Sequence, residues 1–336
     1  MNILKLYIKN AKYLNLPGVN DLFIDKSLYR SIVTYHNVLL TPTNHIFVSF
    51  KYIPSGKYIV YDDKKLSLYQ RLVLVLKFDF FKKYTRLDGD FIWVYDLWSC
   101  NYYHWFSETL PRIVEIWKSY PSATVILPDE FKKYSYIENS LSILSIPCLW
   151  IEQETKSYKI SRLHTVHDGV INDFPDYDWQ KIMVTHIKSK LNLRADNGVG
   201  RRIYVSRSQA RYRKIINEAE LIPILKEYGY EIIYAEQITL KEQIAIFSQA
   251  NFIVSMHGAA LTNMIYMNEG AAVLEIRNQD WESQPLCFFQ LANNFNIQWN
   301  YMESIPQGIE DNFNNVKVDV ESFRYKLNEI ENLIND

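Results

Sequence analysis

Two short stretches bring together residue types that could move a proton and hold an anion. The first is residues 101–112, NYYHWFSETLPR. On a helix, His104, Glu108 and Arg112 fall at i, i+4 and i+8, on one face. A glutamate beside a histidine on such a face can serve as a general base when its surroundings lift its pKa toward neutrality. The plainer reading is a surface ion pair, Glu108 with Arg112, and His104 as an ordinary helix-face residue. Pro111 is expected to kink the helix just after Glu108 and to free a carbonyl. The second stretch is residues 254–263, VSMHGAALTN. A strand ends, His257 follows, and Gly258-Ala259-Ala260 opens a helix. Small residues let another group approach the backbone. The unpaired N–H groups and the positive helix end then favour an anion such as phosphate. The plainer reading is tight helix–strand packing with a core histidine.

Other polar residues gather at the same end of the expected sheet. Glu275 ends a later strand, where a carboxylate can accept both ribose hydroxyls or pair with Arg277. Ser206 and Arg207 end an earlier strand, with Arg211 and Arg213 close behind. Arginine offers planar, permanently charged, bidentate donors to phosphate; a solvated basic loop is the alternative. The Asp88-Gly-Asp90 and Asp176-Tyr-Asp178 pairs could hold a divalent cation with a diphosphate, but such pairs are common by chance. His164-Thr-Val-His167 lacks the helical spacing of a zinc pair. Gly198-Val-Gly200 lacks the third glycine and the preceding strand of a dinucleotide fingerprint.

These residues need elements to position them. The regular part of the chain begins after residues 193–202, LRADNGVGRR, a polar stretch with two glycines that reads as a linker. Strands are expected at 202–206, 230–234, 251–255 and 271–276, and helices at 217–228, 239–249 and 258–267. Asn217 with Glu220, and Thr239 with Glu242, form capping-box patterns. Four strands alternating with three helices mean a parallel sheet with right-handed crossovers. Before the linker, 91–95 and 124–127 read as strands and 102–117 as a helix. Residues 318–334 form an amphipathic helix that could pack back onto the first half. The expected architecture is two α/β units with a cleft between them, an N-terminal domain over 1–192 and a Rossmann-like domain over 200–300.

Length and composition set the outer limits. The chain has 336 residues, about two domains' worth. With 37 basic against 38 acidic residues its formal net charge is −1, so no overall basic field collects nucleic acid. The 25 tyrosines suit sugars and interfaces, because each joins a rigid face to a hydroxyl. Three widely spaced cysteines without a CxxC indicate neither a zinc site nor a disulfide framework. Residues 1–20 lack the apolar run of a signal peptide. These last two features lead us to expect a reducing, cytoplasmic setting. Residues 66–81 are the most apolar window. They read as a buried strand or helix, or else as a membrane-surface helix.

Three blocks together resemble glycosyltransferase family 61, including its bacterial capsular polysaccharide members. They are NYYHWFSETLPR at 101–112, RRIYVSRSQARYRKIINEAEL at 201–221, and EQITLKEQIAIFSQANFIVSMHGAALTNMIYMNEGAAVLEI at 236–276. The resemblance covers roughly half the chain. It implies a GT-B-like fold, with two Rossmann-like domains facing across a cleft. It also implies an inverting transferase that takes a nucleotide-sugar donor and needs neither cofactor nor bound metal. His257, Gly258, Ala259 and Ala260 match the block that lines the donor diphosphate, and Asn263 closes that block. Ser206, Arg207 and Arg213 match the strand-end block beside it, and Glu275 the acidic residue near the ribose. His104 and Glu108 match the HW-x-x-E block, with Glu108 as the expected base and His104 as its alternative. The acceptor is then a glycan or lipid-linked glycan, with peripheral contact to the inner membrane face through residues 66–83. Two rival readings stand beside this one. One is a metal-dependent transferase using Asp176 and Asp178. The other is a non-catalytic protein that binds sugar or nucleotide.

Overall fold

The computed structural model describes residues 30–41, 46–48, 51–53, 67–74, 76–77, 84–96, 98–152, 156–168, 177–193, 200–280, 286–308 and 314–335. The chain divides into two compact units, with the boundary between Lys190 and Leu191. Each is mixed α/β around a sheet rich in parallel pairs.

The first unit is built on β1 (Arg30–Leu40), β2 (Ile46–Val48), β3 (Lys51–Ile53), β4 (Thr85–Ile92), β5 (Thr124–Pro128), β6 (Cys148–Ile151) and β7 (Tyr158–Asp168), in the order β3-β2-β1-β7-β4-β5-β6. The β7-β4-β5-β6 side is parallel. The β3-β2-β1 side is antiparallel and joins β7 antiparallel. This unit is therefore Rossmann-like over half its width only; antiparallel neighbours need no crossover helix between them. Helices Leu110–Ser119, Ser135–Leu144 and Tyr177–Lys190 belong to the same unit. Residues 68–74 form a short helix opened by Ser67, whose Oγ accepts the Gln70 N–H at 3.2 Å. Its Leu68, Tyr69 and Leu72 are exposed, against the expectation of a buried element. Residues 66, 75 and 78–83 of that stretch lie outside the described residues.

The second unit contains β8 (Arg201–Val205), β9 (Glu231–Ile233), β10 (Ala250–Met256), β11 (Ala272–Asn278), β12 (Gln298–Gln307) and β13 (Asn315–Lys317), in the order β13-β12-β11-β10-β8-β9. Five strands run parallel and β13 closes the edge antiparallel. The Thr239–Glu242 capping box forms, with Thr239 N–H donating to Glu242 Oε2 at 2.7 Å and Glu242 N–H to Thr239 Oγ1 at 3.3 Å. The Asn217–Glu220 box does not. Asn217 instead clamps the backbone of Val318, donating from Nδ2 to its carbonyl at 2.8 Å and accepting its N–H at 3.0 Å. This clamp seats the last helix, Val320–Asn335, on this unit and not on the first half. There Phe323, Leu327 and Ile330 join Tyr204, Leu221 and Leu225 in one buried core.

Candidate functional site

In the first unit, Pro111 decides the local geometry around Glu108. Proline has no N–H to give the carbonyl four residues back, which here is that of Ser107. Gln180 Nε2 takes over and donates to that carbonyl at 2.6 Å. The chain accommodates the change as a π-helical turn over Trp105–Thr109, closed by Leu110 N–H on the Trp105 carbonyl. Such turns cost hydrogen-bond regularity and recur at functional sites. Buried Trp105 anchors this one, donating from Nε1 to Ser140 Oγ at 2.9 Å.

The turn brings His104 Nδ1 to 3.0 Å from Glu108 Oε1. An ionised carboxylate only accepts, so opposite it Nδ1 carries the hydrogen, and in the neutral ring Nε2 then keeps a lone pair. His104 is the more open partner, with 30% of its side chain exposed against 11% for Glu108. The surface pair Glu108–Arg112 does not form. Arg112 is buried, and its Nη1 lies 3.7 Å from Asp96 Oδ2. Burial raises the Asp96 carboxyl above its ordinary range, Arg112 opposes that shift, and the charge of Glu108 adds to it.

In the second unit, β8, β10 and β11 end side by side. Arg207 follows β8 and lays its guanidinium against Gly258, the residue that opens the Ala259–Tyr266 3-10 helix. A Cβ at Gly258 would stand 2.1 Å from Arg207 Nη1. Arg207 Nε donates to the Arg213 carbonyl at 3.2 Å and Nη2 to the Tyr212 carbonyl at 3.0 Å. Burial, with the Arg213 charge nearby, pulls the Arg207 pKa down to about 10. Burial lowers Arg213 as well, and its backbone is left-handed at φ 60°, a strain that clusters at ligand sites. Arg211 is exposed over the Tyr212 ring.

His257 Nδ1 lies 2.5 Å from Glu275 Oε1, and Trp299 Nε1 donates to Glu275 Oε2 at 2.7 Å. Burial pushes the imidazole below its ordinary pKa, and Glu275 opposes that shift. Ala259 and Ala260 are half-buried beside Gly258.

Three expected donor residues are placed otherwise. Glu275 is fully buried with both oxygens engaged, so it faces His257 and Trp299 and not a ribose. Ser206 is buried and donates to Glu218 Oε2 at 3.0 Å. Asn263 is buried and donates from Nδ2 to Gln243 Oε1 at 2.9 Å, bracing the helix beside it. What brings Arg207, Arg213, His257 and Gly258 together is the parallel order of β8, β10 and β11.

Among the described residues, the aspartates of the two pairs are engaged or placed as follows. Asp90 binds Arg162 through both oxygens, at 2.5 and 2.6 Å, and accepts from His164 Nε2 at 3.0 Å. Arg162, helped by His164 and opposed by burial, holds it well below the carboxylate range. His164 Nδ1 meets Thr34 Oγ1 at 2.8 Å. Asp178 is exposed in the first turn of its helix, and Asp176 lies outside the described residues. Among the described residues there is no group of three His, Cys, Asp or Glu able to hold a metal ion. Sequence reasoning did not single out Asp96 or Trp299. Neither lies in a block where chemistry was sought.

The family model described as Glycosyltransferase 61 matches residues 102–274, just over half of the chain. The chain is 28% identical over 156 residues to the EGF domain-specific O-linked N-acetylglucosamine transferase of Bos taurus, a match covering 42% of this chain and 30% of that protein. It is 33% identical over 90 residues to the protein O-linked-mannose beta-1,4-N-acetylglucosaminyltransferase 2 of Xenopus laevis, covering 26% and 16%. The match thus spans under a third of these relatives' length. Among solved structures, the heptosyltransferase TibC aligns over 85% of this chain and 83% of its own, at 10% identity and a TM-score of 0.32.

Proposed function

The chain belongs to glycosyltransferase family 61, and on that footing we propose that it moves a sugar from a nucleotide-sugar donor to a glycan hydroxyl. We read the two units as the halves of a GT-B-like enzyme. The first carries the acceptor chemistry and the second holds the donor. The observation that carries this reading is Arg207 laid on Gly258, with Arg213 and His257 beside it. Two cations pressed together under partial burial repel each other, and a diphosphate would relieve both.

The reaction is a single inverting displacement. The acceptor hydroxyl gives its proton to His104 Nε2, which Glu108 holds in the correct tautomer. The hydroxyl oxygen bonds to the anomeric carbon as the bond from that carbon to the diphosphate oxygen breaks. The negative charge leaving with the nucleoside diphosphate meets Arg207, Arg213 and His257, which replace a metal ion. Burial favours the alternative order, with His104 as the base. Glu108 is the more enclosed partner and is already engaged by Nδ1–H, so His104 accepts the proton and Glu108 orients it.

The resemblance seen in the sequence extends this reading to cell-surface glycan synthesis at the cytoplasmic side. Exposed Leu68, Tyr69 and Leu72 offer contact with a membrane that presents a lipid-linked acceptor. The test is a single variant. His104→Ala should lower kcat by about 10²- to 10⁴-fold, with nucleoside-diphosphate affinity unchanged. Transfer by His104→Ala at the wild-type rate would overturn the assignment.

A further inference from the structure

The chain has eight tryptophans. Trp93, Trp105 and Trp299 are fully buried, yet Trp98 is 63% exposed. Leaving an indole in water forgoes a large share of its burial free energy. A floppy loop would explain such exposure, but this loop is clamped on both sides of the indole. Asp96 Oδ1 accepts the Trp98 N–H at 2.8 Å and the Ser99 hydroxyl at 3.1 Å. Ser99 Oγ accepts the Asp96 N–H at 2.8 Å and meets Thr109 Oγ1, at the end of the π-helical turn, at 2.7 Å. Asn101 N–H donates to the Trp98 carbonyl at 2.8 Å. The loop is thus tied to the same turn that carries Glu108. The indole centroid stands 5.7 Å from that of the His104 imidazole, at 34°, and Tyr103 flanks the imidazole at 5.2 Å.

We propose that Trp98 is the stacking platform for the acceptor: a pyranose ring lies on the exposed indole with a hydroxyl turned to His104. The chemistry fits a sugar. A pyranose has an apolar face of C–H groups that the electron-rich indole face attracts, and a rim of hydroxyls that needs polar partners. Here the rim partners are the His104–Glu108 pair and exposed Asn101. The hydrogen bonds around Trp98 mean little ordering of its backbone is required on binding. Asp96, buried beneath, acts as a positioning residue for the platform.

The inference rests on the transferase reading, and the experiment separates the two. Wild type, Trp98→Ala, Trp98→Tyr and Asp96→Ala are titrated with methyl glucopyranoside, galactopyranoside, mannopyranoside and N-acetylglucosaminide, read by saturation-transfer NMR. Transfer to whichever pyranoside serves as acceptor, and calorimetric binding of UDP, GDP, ADP and CDP, are measured alongside. Trp98→Ala should raise the acceptor KM by roughly 3- to 10-fold, the weight of one aromatic face, with kcat and donor KM unchanged. Trp98→Tyr should restore most of the loss, and Asp96→Ala should repeat it. An unchanged acceptor KM and an unchanged saturation-transfer signal in Trp98→Ala overturn the platform, as does a wild type that binds none of the four. If wild type binds a pyranoside through Trp98 but no nucleoside diphosphate, the platform stands and the transferase reading falls.

Discussion

Gly258→Ala tests the donor site at its tightest point. Gly258 is not there for its backbone freedom, because at φ 172° and ψ 168° it is extended, as any residue can be. What it supplies is room. The added Cβ would stand 2.1 Å from Arg207 Nη1 and 2.7 Å from its Cζ, so the guanidinium must leave. The clash falls on the end of a flexible side chain, so the strand and helix need not move. Two bonds to carbonyls, at 3.2 and 3.0 Å, are lost. Both are open to replacement by water, so the stability loss should stay near ~1–2 kcal/mol. The diphosphate loses one charge-assisted partner, about 1.5–3 kcal/mol, or roughly 10- to 150-fold in Kd. Calorimetric titration with UDP, GDP, ADP and CDP would first find the nucleotide that wild type prefers. Gly258→Ala and Arg207→Ala should then weaken it equally, and the double variant should be no weaker than Arg207→Ala, since both remove one contact. Full affinity in Gly258→Ala would refute the reasoning. So would losses that add.

Three further outcomes follow from the same geometry. Burial holds the free His257 imidazole below its ordinary pKa, and a bound diphosphate favours its charged form. Binding should therefore take up protons. Affinity should be highest below the free protein's lowered value and fall as pH rises through the complex's higher one. Calorimetry in buffers of different ionisation heats checks this, and zero proton uptake would remove His257 from the site. Transfer should persist in excess chelator, because three protein cations meet the leaving group; activity restored only by manganese would shift the chemistry to an aspartate site. Flotation with vesicles containing anionic lipid should carry the wild type and lose a Leu68→Ser/Leu72→Ser double variant, whereas equal flotation would dissociate the exposed helix from any membrane role.

The second sheet was legible because its apolar runs are short, β-branched and regularly spaced, with Thr239 and Glu242 marking a helix start. β12 escaped notice because buried Asn300 and Ser304 break the apolar pattern that marks a strand. The first sheet escaped more fully, since long antiparallel pairing between β1 and β7 leaves no helix-punctuated rhythm to read. At the site, residue types were legible and their orientations were not. Glu275 has the position of a ribose ligand in a strand pattern. Only the placement of His257 and Trp299 across it shows that its oxygens are used internally. Arg112 likewise has the spacing to pair with Glu108, but packing of its helix against the loop after β4 gives it Asp96 instead. Spacing fixes which face a residue occupies; neighbours far along the chain decide what it meets there.

The two histidine–carboxylate pairs make the same point about chemistry. Both join Nδ1 to a glutamate oxygen, His104 to Glu108 and His257 to Glu275. The first pair is open, with 30% and 11% of its side chains exposed, and the second is closed, with 8% and 0%. In the open pair Nε2 can meet a hydroxyl and release its proton to solvent, as repeated turnover requires. In the closed pair no such exit is at hand, and a nearby Arg213 charge makes protonation costly until an anion arrives. The same two residue types are therefore suited to opposite ends of one reaction, proton removal at the acceptor and charge holding at the leaving group. Exchanging the roles would require His257 to shed a proton from a buried position, against the negative charge of Glu275 that holds it. Transfer by Glu275→Gln at the wild-type rate and pH profile would break this division, because losing that charge should lower the pH below which His257 serves as a charged anion partner.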